Sequence, residues 1–232
     1  MSTIVADNLR NVHSNIKLAC EKSGRDVSEI TLISVSKTKP VDMLKEAYDT
    51  GERCFGENKV QEICQKYPEM PEDVKWHMIG HLQTNKVKQV IDKVVLIHSV
   101  DSIKLAEVIS RESEKKGIVT DILVEVNVAN EDTKFGTTYE NVEALIMDIA
   151  SLPAVKVRGL MTIAPFVDNP EDNRVIFRKL NQLFVDLRAK NIDNTYMDIL
   201  SMGMTNDYQV AIEEGATMIR VGTGIFGNRN YI

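Results

Sequence analysis

Ile30-Thr31-Leu32-Ile33-Ser34-Val35-Ser36-Lys37-Thr38-Lys39-Pro40 is an almost continuous apolar, β-prone run that ends in a hydroxyl-flanked lysine and is stopped by a proline. Apolarity without alternation is what a strand covered on both faces requires, and parallel sheets wrapped in helices impose that condition. Residues 40–50 then read as a helix. A strand, a polar or glycine-bearing turn and a helix make one unit, and the unit recurs down the chain.

Residues 53–56 lead into a helix over 58–66, and residues 74–79 turn at Gly80 into a helix over 83–92. Residues 94–100 precede a helix over 103–116, with Asp101 or Ser102 as its N-cap and Gly117 as its stop. Strands over 121–128 and 155–161 are followed by helices over 141–150 and 171–189, each with an apolar face at helical spacing. Strands over 197–200 and 217–221 complete the series, separated by a short helix over 207–214. In front of it all, Leu9, Val12, Ile16 and Ala19 mark an amphipathic helix over 5–23 that packs outside the fold. Eight strands alternating with helices, with no low-complexity linker, predict an α/β protein of the TIM type: one (β/α)8 barrel spanning residues 1–232 with an extra N-terminal helix. A doubly wound open sheet is the competing arrangement, disfavoured by the count of eight and by the lack of GxGxxG after the first strand.

Composition narrows the function. A net charge of −6 and no basic stripe argue against nucleic acid, whereas a small anionic ligand needs only local positive groups. Residues 1–8 have no leader-like pattern and no run of about 18 apolar residues occurs, so a cytoplasmic protein without membrane contact is expected. Cys20, Cys54 and Cys64 form no CxxC pair, which predicts buried thiols in a reducing compartment and no structural zinc.

A barrel keeps its functional groups at the carboxyl ends of the strands and commonly holds phosphate on the last two loops. Those ends read Ser36-Lys37-Thr38, Gly56-Glu57-Asn58, Gly80-His81, Met161-Thr162, the stretch from Ser201 through Met202, Gly203 and Met204 to Thr205, and Arg220-Val221-Gly222-Thr223-Gly224. Gly203, Gly222 and Gly224 permit close backbone approach, and Ser201, Thr205 and Thr223 supply hydroxyls, a combination suited to an anion. His77 and His81 straddle a strand and a turn without an HExxH glutamate, and His13 and His98 read as structural. No GxSxG elbow serves a serine, Cys54 has no placed histidine, and the ten methionines suit core and pocket lining. A lysine opposite a phosphate site suggests a ligand with both a phosphate and a carbonyl. A Schiff base requires the neutral amine, which partial desolvation and the charge of Lys39 favour at Lys37. Pyridoxal 5'-phosphate meets that description, and so does a sugar phosphate in an aldolase.

Six segments in order, VSKTKP over 35–40, FGENKVQE over 55–62, WHMIGHLQTNK over 76–86, RGLMTI over 158–163, SMGMTND over 201–207 and RVGTGIFG over 220–227, resemble the YggS/PROSC family of pyridoxal phosphate homeostasis proteins. That family is similar in fold to the barrel domain of alanine racemase. The resemblance implies that Lys37 holds pyridoxal phosphate as a Schiff base, that Asn58, His81 and Met161 line the pocket, and that Ser201, Gly203, Gly222 and Thr223 belong to the phosphate cradle. It places Arg220 at the pyridine nitrogen, where a guanidinium disfavours ring protonation and limits carbanion chemistry. Thr205 and Asn206 stand where Ser and Asp are frequent in the family motif. It further implies a monomer that buffers or delivers pyridoxal phosphate within vitamin B6 homeostasis, with apo pyridoxal-phosphate enzymes as partners and no efficient turnover of its own. A single-domain amino-acid racemase is the alternative. No counterpart of the β-rich domain that gives alanine racemase its second base is expected, so Tyr208 or Tyr231 would have to replace it.

Overall fold

The computed structural model describes residues 3–129 and 135–227. Eight parallel strands close on themselves: β1 (Thr31–Val35), β2 (Cys54–Glu57), β3 (Lys75–Met78), β4 (Val94–Val100), β5 (Thr120–Asn127), β7 (Val155–Met161), β8 (Thr195–Met204) and β9 (Met218–Val221). The ring runs β4-β3-β2-β1-β9-β8-β7-β5 and is sealed by the pairing of β4 with β5. A two-residue strand, β6 (Thr137–Thr138), extends the edge beyond β5 and was not expected. The outer layer comprises α1 (Ile4–Ser23), α2 (Val41–Asp49), α3 (Val60–Lys66), α4 (Val87–Val90), α5 (Ile103–Lys116), α6 (Val142–Ala150), α7 (Arg174–Ala189), α8 (Tyr208–Glu213) and α9 (Thr223–Phe226).

Period-two alternation divides each strand between two cores. Leu32, Ile122, Val124 and Leu200 face the helices, in one large cluster with Phe177, Leu180 and the buried stripe Val5, Leu9, Val12, Ile16 and Ala19 of α1. Ile33, Val35, Leu96, Leu123, Met161 and Met218 face inward and make a separate, smaller core inside the barrel. Gly24 ends α1 and Gly117 ends α5, each at left-handed φ and each donating back to carbonyls of the last turn.

Three expectations are corrected. The helix expected over 83–92 is a 3-10 turn, Thr84–Lys86, followed by the four residues of α4, because the segment supplies only Val87, Val90 and Ile91 to the core. Cys20 is buried, but Cys54 and Cys64 are only half-buried. Ser201 and Gly203, expected in a loop, lie within β8, which runs on to Met204. A register shift between Ser201 and Met204 against β9 marks a bulge, and Gly203 absorbs it at φ +89. The α-carbon of Gly203 abuts α8, where a methyl group would come within 2.5 Å of the Ala211 Cβ. The glycine therefore serves the packing of α8.

Candidate functional site

Lys37 sits two residues beyond the end of β1, in a turn closed by the Lys39 amide donating to the Ser36 carbonyl at 3.1 Å. Ile33 and Val35 face the barrel interior, and Lys37 follows them in the turn at the carboxyl end of the strand, where the barrel opens. Its side chain is half-buried. Lys39 lies outside that opening: its ammonium donates to the carbonyls of Phe226 and Gly227, both at 2.9 Å, and so ties the turn to the end of α9.

Beneath the opening the barrel is polar where the eighth and ninth strands meet. Arg220 is buried on β9 and donates from Nη1 to Ser201 Oγ at 2.5 Å and from Nη2 to the Thr162 carbonyl at 2.8 Å. Ser201 Oγ also lies 3.1 Å from His98 Nδ1, and His98 Nε2 lies 3.0 Å from His77 Nδ1. Burial holds both imidazoles neutral, with His77 pushed down to about 3 and His98 well below its ordinary value. An arginine can only donate. With the Ser201 proton directed to His98 Nδ1, each imidazole passes an N–H downward, and the chain stops at His77 Nε2, which has no partner among the described residues. Desolvation lowers Arg220 to about 10, which still leaves it cationic at neutral pH.

Glu125 faces this guanidinium from β5, at the register of Met161. Burial, assisted by the neighbouring Asp101 carboxylate and opposed by Arg220, pushes it up to about 7. A carboxyl raised in the fold binds its proton more tightly there than in the unfolded chain. Its contribution to stability is therefore complete below the unfolded value near 4.5 and is lost as pH rises through about 7. Glu125→Gln should accordingly gain on the wild type by about 3 kcal/mol between pH 5 and pH 8 in urea unfolding. Equal gains at the two pH values would remove the carboxyl from this role.

The loops after β8 and β9 meet through Thr205. Asp207 is buried; its Oδ1 accepts from the Met204 amide at 2.7 Å and its Oδ2 from Asn173 Nδ2 at 2.8 Å. That pinned turn places Thr205 Oγ1 3.2 Å from the Gly222 amide and 3.4 Å from the Gly224 amide, accepting from both. Gly222 lies against β1, where a Cβ would stand 3.4 Å from the Val35 carbonyl oxygen, so the glycine loop adjoins the strand that carries Lys37. Both glycine amides are engaged by Thr205 Oγ1, whose own O–H remains to donate, so an anion entering beside Thr205 and the exposed Thr223 would take the two amides over from that oxygen.

The remaining expected residues divide. Asn58 follows β2 and is half-buried; the backbone of Gly80 packs so closely on it that a methyl at Gly80 would lie 2.5 Å from the Asn58 oxygen. Met161 is fully buried among Ile33, Leu96 and Leu123, which makes it floor rather than wall. His81 is exposed at the rim, stacked on Phe135 with ring centroids 4.0 Å apart and with Nδ1 3.8 Å from Asp101 Oδ2. Tyr208 is on α8 and packs in the outer core, where its hydroxyl meets Asn15, so it supplies no base to the opening. Tyr231 lies outside the described residues.

This arrangement has known counterparts. The family described as alanine racemase, N-terminal domain, matches residues 8–230. A pyridoxal phosphate homeostasis protein of Aquifex aeolicus is 47% identical, over 97% of this chain and 98% of the relative. The chain belongs to the pyridoxal phosphate homeostasis protein family. PipY of Synechococcus elongatus, a structure with PLP bound, superposes with a TM-score of 0.80 at 33% identity, covering 92% of this chain and 100% of PipY. An alanine racemase of Clostridium difficile superposes with a TM-score of 0.74 at 16% identity, covering 96% of this chain and 57% of the racemase, a likeness of fold.

In this member of the pyridoxal phosphate homeostasis protein family, sequence reasoning missed two groups at the site and gave a third too small a part. Thr205 was noted only as a hydroxyl, although its place in SMGMTND, two residues before an aspartate able to cap the turn, was a usable signal. Glu125 and the buried pair His77 and His98 gave none, since each sits singly among apolar strand residues. No helix among the described residues is long and apolar enough to cross a membrane, and no group of three or more metal-ligating side chains occurs among them.

Proposed function

We propose that this chain is a single cofactor-binding barrel that holds pyridoxal 5'-phosphate reversibly on Lys37 and serves vitamin B6 homeostasis by buffering or delivering it. The observation that carries the reading is the meeting, at one end of the barrel, of a lysine, a buried arginine and a two-amide, two-hydroxyl cradle. That donor set fits a phosphorylated aldehyde with a ring nitrogen. When bound, the cofactor supplies an aldehyde for an amine to condense with and a ring that withdraws electrons.

The chain's own residues then take distinct roles. The amides of Gly222 and Gly224 with Thr205 and Thr223 would hold the phosphate, and this assignment puts Thr205 where Ser201 was expected. Arg220 would face the ring nitrogen; as a donor fixed by Ser201 and the Thr162 carbonyl, it leaves that nitrogen unprotonated. Asn58 and His81 would border the ring, over a floor that includes Met161. The outward packing of Tyr208 weighs against the two-base racemase reading. A monomer and a reducing cytoplasmic setting accord with the acidic composition and unpaired cysteines.

A transfer assay tests delivery. Loaded protein mixed with an apo pyridoxal-phosphate enzyme, in the presence of a scavenger of free cofactor, should activate the enzyme. Activation abolished by the scavenger would reduce the role to a reservoir. Deuterium uptake at the α-carbon of amino acids, lost in Lys37→Ala, would instead restore the racemase reading.

A further inference from the structure

Three charged side chains behind the barrel wall converge on the turn that carries Lys37. Lys66, at the end of α3, is buried, and its ammonium spends all three N–H donors: on the Ser36 carbonyl at 2.9 Å, on Glu57 Oε1 at 2.7 Å and on Glu62 Oε2 at 3.0 Å. Glu62, one helical turn earlier, accepts from the Thr38 amide at 2.6 Å through the same oxygen. Glu57, at the end of β2 and fully buried, also accepts from Ser36 Oγ at 2.6 Å. The peptide groups on both sides of Lys37 are thus gripped by side chains of one helix.

The grip opposes strain. Thr38 adopts φ +65, a left-handed conformation that a β-branched residue takes only when its surroundings impose it. The Glu62 carboxylate accepts from the amide of this strained residue, and Lys66 donates to the carbonyl at which the turn begins. Burying Glu57 with Lys66, and Glu62 in part, is costly, and such a cluster can serve conformational specificity rather than stability.

We infer that Glu57, Glu62 and Lys66 form a positioning clamp for Lys37, holding its backbone so that the amine meets the carbonyl of an incoming ligand. They are positioning residues, since none is placed to touch the cofactor itself. The inference rests on the assignment of Lys37 as the cofactor amine. It goes beyond that assignment by making the speed of cofactor capture a property of α3.

The test measures capture directly. Protein freed of cofactor is mixed with pyridoxal phosphate and quenched with borohydride at intervals, and the reduced adduct is quantified by mass spectrometry and mapped to its lysine. Glu62→Ala should slow adduct formation at Lys37 by about tenfold or more, the scale of a misplaced reacting group. Glu62→Gln, which keeps an acceptor for the Thr38 amide, should recover most of the rate. In a Thr38→Gly background, where φ +65 is unstrained, Glu62→Ala should cost much less. A purely structural role would lower the melting temperature of Glu62→Ala without that rescue by glycine. Wild-type capture rates in Glu62→Ala, or an equal loss in both backgrounds, would overturn the clamp. A wild-type protein whose adduct maps to another lysine would overturn the Lys37 assignment instead, so the two failures are distinguishable.

Discussion

Lys37→Ala protein should fold with an unfolding midpoint close to that of the wild type and yet carry no borohydride-trappable pyridoxal phosphate. Stability is spared because the side chain is half-buried and the turn is held through the backbone of its neighbours, the Ser36 carbonyl and the Thr38 amide. Covalent capture is lost because an alanine offers no amine. The cradle of Gly222, Gly224 and Thr205 and the cation of Arg220 do not depend on Lys37, so binding of the phosphate end should persist, weaker and freely exchanging. Mass spectrometry after reduction reads the first effect and equilibrium dialysis the second. A pyridoxyl group recovered at wild-type stoichiometry on Lys39 or Lys66 would defeat the assignment.

Arg220→Leu should be the most damaging single change at the site. It strips the Thr162 carbonyl and Ser201 of their donor and leaves Glu125 in the barrel without its facing cation. Leaving two buried acceptors without their donor costs about 3 kcal/mol or more. Part of the cost at Glu125 is relieved when it takes up a proton, so Arg220→Leu combined with Glu125→Gln should recover stability relative to Arg220→Leu alone. Arg220→Lys is no conservative repair, because a point ammonium cannot donate in two fixed directions at once. Urea unfolding of the three variants checks this, and a loss below about 1 kcal/mol in Arg220→Leu would show that the arginine is not integrated as described.

Much of the barrel could be read from residue order because the signals were local. Val94–Val100 and Ile103–Lys116 appear as expected: an apolar run, Ser102 at the extended N-cap position and Gly117 at left-handed φ are each complete within a few residues. The errors arose where the deciding partner was remote. Ser201 and Gly203 look like loop residues in isolation, but pairing with Met161 and Met218 on neighbouring strands keeps them in β8. Thr205 acquires its place from Asp207, itself bound to Asn173, and from glycine amides 17 and 19 residues away. Lys66 reads as an ordinary helix-end cation until the fold brings it 2.9 Å from the Ser36 carbonyl, 30 residues earlier.

The pairing of β1 with β9 carries a consequence for the life of the chain on the ribosome. The lysine proposed to hold the cofactor follows the first strand of the barrel, and the proposed phosphate cradle draws on the loop after the last. The contact that joins them, from Lys39 to Phe226, spans 187 residues. Closing so long a loop is among the slowest events in folding. On the proposed assignment a nascent chain would carry the amine long before the loop that retains the phosphate, and capture would begin only when synthesis has delivered the final strand.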